Sequence, residues 1–125
     1  MSASPFVSLD APGIRVDAQR DGVVLRVAMS GSVEARDPAA LFDPYWSGLD
    51  EAVRALGLTQ VELDLSRLDF MNSSGILTLV RWVMKLKARP DYELLIRYDD
   101  ELTWQRTNVP VLTKLAPAVV RMSRR

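Results

Sequence analysis

Three places in this chain concentrate side chains able to do chemistry. Asp64 and Asp69 could form a carboxylate pair for acid–base work, but no nucleophile or phosphate-cradling glycine loop accompanies them. They read as turn caps that shape the local field. Asp99-Asp100-Glu101 could draw a divalent cation and reads more simply as a solvated acidic turn. Asn72-Ser73-Ser74-Gly75 sets a carboxamide and two hydroxyls ahead of an apolar run, the composition of a helix N-cap. The same residues match the N-glycosylation pattern, an accidental match given that Met1 to Leu9 has no secretory character.

What is missing narrows the chemistry further. The sequence contains neither cysteine nor histidine. Thiolate zinc sites, iron–sulfur clusters, disulfides, Ser-His-Asp catalysis and histidine metal ligation are therefore excluded. No enzyme activity, metal or cofactor is expected. The 125 residues are 48% hydrophobic and 26% charged, the profile of one folded domain. Sixteen basic side chains balance 16 acidic ones, so no general nucleic-acid binding is expected. No apolar run reaches transmembrane length, and a cytoplasmic location is expected.

The elements that must position these residues follow from periodicity. Residues 1–13 mix Ser, Pro, Ala and Gly and read as a flexible N-terminal arm; residues 14–122 read as the domain. Ile14–Gln19 alternates apolar and polar, and Asp21-Gly22 turns it into a second strand, Val23–Met29. Asp37-Pro38 and Asp43-Pro44 each look like a helix start. Leu41, Phe42, Tyr45, Trp46, Leu49, Val53 and Leu56 then recur at helical spacing, and Gly57 ends them. Val61–Leu65 is a short buried strand, followed by a loop. Asn72 or Ser73 caps a helix over Gly75–Lys87, with Ile76, Leu79, Val80, Val83 and Leu86 inward. Tyr92–Tyr98 is another strand, Val109–Leu115 a short helix and Ala118–Met122 a last strand. The order β-β-α-β-α-β-α-β predicts an α/β domain, a mixed sheet of four to five strands with helices packed on it.

The segment from Val61 to Gly75 carries more than local structure. Asp64-Leu65-Ser66, the apolar pair Phe70-Met71 and Asn72-Ser73-Ser74-Gly75 resemble, in order, the signature of the STAS family, the anti-sigma-factor antagonists of bacterial partner switching. Asn72 stands where the antagonists usually have Asp, and Trp104-Gln105 resembles a pair found in a variant group of STAS-like regulators with Asn. The resemblance implies a STAS-like fold and a non-enzymatic bacterial signalling protein. It implies reversible phosphorylation of Ser73 by a kinase-like partner, reversal by a cognate phosphatase, and a link in some relatives to a nucleotide-signalling enzyme. Asp69, Asn72, Ser74 and Gly75 would then form the switch loop. Trp104, a large aromatic among Thr103, Gln105, Arg106, Thr107 and Asn108, reads from those neighbours either as a partner contact in a polar loop or as packing under the sheet edge. ATP would belong to the partner, since this chain lacks a phosphate loop. A hydroxyl at a helix N-terminus suits the role, because the positive dipole end and open backbone N–H groups tolerate a phosphate.

Two other readings use the same residues. A constitutive, unphosphorylated adaptor would dock partners on the surface of the Gly75–Lys87 helix. A small-ligand sensor would use the loop before Ser73 as a pocket floor.

Overall fold

A computed structural model describes residues 6–124. Six strands form one sheet in sequential order: β1 (Leu9–Ala11), β2 (Ile14–Asp21), β3 (Val24–Val33), β4 (Gln60–Met71), β5 (Glu93–Tyr98) and β6 (Val120–Arg124). The first three strands are antiparallel neighbours, and β3 through β6 run parallel. Each parallel step is bridged by a helix: α1 (Ala39–Ala55), α2 (Ser73–Ala88) and α3 (Thr103–Leu115).

Burial alternates along every central strand. Leu25, Val27, Met29, Val61, Leu63, Leu65, Leu94 and Ile96 are at most 1% exposed. They share one core with the inward residues of the three helices. The opposite parity, including Arg15, Arg26, Ala28 and Arg97, faces solvent. All three helices therefore cover one face, and the other face is bare. Its ion pairs, such as Arg26 and Arg97 on Glu62, are exposed on their arginine side and contribute little stability.

The sheet exceeds the expected four to five strands because the N-terminal arm is not all loose. Leu9 and Ala11 pair with Val16 and Ile14 across Pro12-Gly13, where Gly13 takes φ +80°. Gly31, at φ +98°, lets this turn close on β3, since a Cβ there would lie 2.1 Å from the Gly13 carbonyl oxygen. Phe6 is buried, and the Val7 carbonyl accepts the Tyr45 hydroxyl at 2.7 Å. Residues 1–5 of the expected arm lie outside the described residues.

Two helices depart from their expected starts. Asp43-Pro44 does not open α1; Pro44 lies inside the helix, which begins after Pro38. The proline is exposed, so the hydrogen bond it cannot make leaves a carbonyl open to solvent instead of buried. Similarly α3 starts at Thr103, with Pro110 inside it, and Trp104-Gln105 belongs to its first turn. The polar stretch read as a loop is helical because Gln105 is drawn into the core.

Trp46 and Trp82 stack between α1 and α2, with centroids 4.9 Å apart and an interplanar angle of 12°. Beneath them runs a polar chain. The Trp82 indole donates to the Tyr92 hydroxyl at 2.8 Å, and that hydroxyl donates to Asp50 Oδ1 at 2.6 Å. Arg54 holds Asp50 at 3.0 Å and Asp91 at 2.6 Å. Burial, reinforced by the bond to Asp50, pushes the Tyr92 phenol above its ordinary 10.0. The folded state keeps a proton that the unfolded state releases, so this stabilising contribution is whole below pH ~10 and declines above it. Urea unfolding should show stability falling by about 1.4 kcal/mol per pH unit above pH ~10. Tyr92→Phe should flatten that slope while lowering stability at neutral pH.

Candidate functional site

The carboxyl ends of the parallel strands are where open α/β sheets present ligand and partner sites. Here β4 delivers its end into the first turn of α2. The sequence reading placed a loop between Leu65 and Asn72, whereas β4 continues to Met71. It does so by two irregularities against β3, the second skipping from Leu68 to Phe70. Asp69 is the residue left over, exposed, its carboxylate free of hydrogen bonds and ion pairs among the described residues. Asp64 shapes the first irregularity by accepting the Ser66 N–H at 2.9 Å, as a turn-capping carboxylate does.

Asn72 is the N-cap of α2. Its φ of −70° and ψ of 168° are extended, and its Oδ1 accepts the Gly75 N–H at 2.9 Å. Its Nδ2 donates to the Ala35 carbonyl at 2.9 Å, and its backbone N–H to the Val33 carbonyl at 3.0 Å. The cap therefore ties helix α2 to the end of β3 and to the loop that follows it. Ser73 and Ser74 come next, both exposed. Neither hydroxyl is bonded within the described chain, because Asn72 already provides the cap. Two N–H groups at the start of the helix stay open beside them.

Gly75 is the buried floor. A Cβ there would meet Met71 Cγ at 2.8 Å, Val33 Cγ1 at 3.0 Å and Asn72 Oδ1 at 3.3 Å. Glycine is what allows α2 to begin directly on the strand ends. Gly75→Ala should gain about 0.5–1 kcal/mol in helix propensity and lose about 1–3 in overpacking, a net loss read by thermal unfolding.

Trp104 lies on a helix and not in a polar loop. It is half-buried, and its indole N–H donates to the Leu68 carbonyl at 3.1 Å. Next to it Gln105 is 0% exposed, with Nε2 donating to the Leu65 and Leu68 carbonyls at 2.5 and 3.0 Å. Its Oε1 accepts the Asp99 N–H at 2.7 Å. Together they hold the end of β4 from the α3 side. Thus Asn72, Ser73, Ser74 and Gly75 form one constellation, and Trp104 reaches it only through the β4 backbone.

Sequence reasoning missed Ala35, and it singled out Gln105 only as part of a pair, without its buried bonds to backbone distant in sequence. It also missed an apolar ridge. Ser73, Leu77 and Met84 recur on one side of α2, with Leu77 51% and Met84 44% exposed, while Val80 packs partly against the core as expected. The acidic turn after β5 is an ordinary one: Asp99 accepts the Glu101 N–H and Asp100 pairs with Arg124. No cluster of acidic, histidine or cysteine side chains among the described residues could hold a metal ion. No helix among them is long and apolar enough to cross a membrane.

No protein-family model matches the chain, and no curated protein matches its sequence. Solved structures do match. An anti-sigma factor antagonist from Mycobacterium paratuberculosis superposes with a TM-score of 0.64 at 22% identity, over 90% of each chain. An uncharacterised DUF3478-family protein with a SpoIIAA-like fold from Shewanella loihica gives 0.54 at 14% identity, over 98% of this chain and 90% of that one. The fold, a mixed sheet with three helices, is that of the anti-sigma-factor antagonists.

Proposed function

We propose that this chain is a non-enzymatic regulator of the STAS type that binds a kinase-like protein and is switched by phosphorylation of Ser73. The observation that carries the reading is the division of labour at the α2 N-terminus. Asn72 caps the helix, so the Ser73 hydroxyl has no structural duty and lies exposed beside open N–H groups. A phosphate added there meets the positive end of the helix dipole and disturbs no buried contact. It changes the surface at the head of the Leu77–Met84 ridge, where a partner would pack.

The reading is tested by the intact mass of protein isolated from its native cell, with the site mapped by fragmentation. A population carrying one phosphate on Ser73, absent from Ser73→Ala, is expected. Protein that is unmodified throughout growth and starvation would contradict it.

The same ridge supports a second reading, a permanent adaptor that docks through Leu77 and Met84 whatever the state of Ser73. Leu77→Asp should abolish partner binding in both readings, with stability nearly unchanged since the side chain is half out of the protein. Only the switch reading makes binding depend on phosphate.

A further inference from the structure

The geometry points to Asn72 as a positioning residue that reports the state of Ser73 to the loop between β3 and α1, residues 34–38. This rests on the proposed modification of Ser73. All four hydrogen-bonding groups of Asn72 are engaged. Two hold the helix, through Gly75 N–H on Oδ1 and Ile76 N–H on the backbone carbonyl at 3.0 Å. Two hold the neighbouring strand and loop, through the Val33 and Ala35 carbonyls.

The Nδ2–Ala35 bond is the one that requires an amide. An aspartate could cap Gly75 equally well, but its second oxygen would face the Ala35 carbonyl with no proton between them. The bond is also the one fixing Ala35 from outside its own loop. Glu34, Ala35, Arg36 and Asp37 are all exposed, and none makes another hydrogen bond or ion pair among the described residues. This single side-chain contact thus anchors the middle of the loop.

A phosphate on Ser73 offers the amide a better acceptor. It carries nearly two negative charges, and a bond from a neutral amide to an ionised oxygen is about twice as strong as one to a carbonyl. It also competes with Asn72 Oδ1 for the first-turn N–H groups, loosening the cap that holds the side chain in place. Asn72 then has two alternatives one residue apart: Ala35 when Ser73 is bare, the phosphate when it is modified. Turning to the phosphate releases the loop. Modification at the helix would so alter a second stretch of surface to which Ser73 itself makes no hydrogen bond.

Backbone and side-chain NMR of the full chain tests this, using protein with phosphoserine encoded at position 73. In the unmodified wild type, order parameters for residues 34–37 should lie near the rigid value of about 0.85. They should fall below about 0.6 in the phosphorylated protein, and the Asn72 Nδ2 resonances should shift. Asn72→Asp and Asn72→Ser keep a cap but lose the amide, so the loop should be mobile with or without phosphate. Their melting temperatures should stay within about 5 °C of the wild type, which separates a freed loop from general unfolding. A loop equally rigid in both variants would overturn the proposal. So would phosphorylation that leaves the loop and the Asn72 amide unchanged. Absence of phosphate on Ser73 in the cell, with the encoded phosphate still releasing the loop, would count against the proposed function alone.

Discussion

Replacing Gln105 by alanine should cost about 3–5 kcal/mol, the largest loss expected from a single polar residue here. Gln105 is wholly buried and makes three hydrogen bonds, to the Leu65 and Leu68 carbonyls and from the Asp99 N–H. Alanine removes all three bonds, leaving the Leu68 carbonyl only its bond from the Trp104 indole, and opens a cavity beneath α3. Domains of this size are stable by only about 5–15 kcal/mol, so chemical denaturation should place the variant close to unfolding. Gln105→Glu separates hydrogen bonding from packing, because the shape is kept. Its carboxylate can still accept from Asp99, but opposes the two carbonyls that the amide had satisfied. Burial raises the folded pKa of such a group above the unfolded ~4.3, so stability is lost as pH rises through that interval. The glutamate variant should therefore be more stable near pH 4 than near pH 8, relative to the wild type at each pH. Equal penalties at both would show that the hydrogen-bond pattern does not matter.

Phosphate on Ser73 should weaken partner binding by about thirtyfold or more, corresponding to ~2 kcal/mol or above. Docking over the α2 N-terminus would take a nearly divalent group out of water, and open N–H groups of the first turn return only part of that cost. Ser73→Ala should bind within a few-fold of the wild type, since Asn72 and not Ser73 caps the helix. Folding should hardly change for the same reason. Ser73→Asp should fall between the two, because it carries about half of a phosphate's charge and reaches less far.

Local physics made the core of the site legible in the sequence. An Asn ahead of two serines and a glycine, before an apolar run, is a cap whatever surrounds it, and Asn72 does cap α2. The central strands and the α2 stripe were equally plain from their periodicity. Features decided by distant contacts were not. β1 is three residues long and exists only because Gly13 and Gly31 let its turn close on β3. The end of β4 looked like a loop because its two irregularities against β3 break the alternation that marks a strand. The α3 start was hidden by Pro110 and by a glutamine whose burial depends on carbonyls about forty residues back. The same limit concealed the second half of Asn72's role. Capping is local, but the bond to Ala35 is visible only once β3 and β4 lie side by side.

The central claim is that Ser73 is a binding switch, and titration calorimetry tests it most directly. The kinase-like protein recovered with the chain from its native cell would be titrated with three forms: unmodified, Ser73→Ala and encoded phosphoserine 73. The account predicts similar affinities for the first two and at least about a thirtyfold loss for the third. Equal affinity for all three forms would contradict it and leave a permanent adaptor.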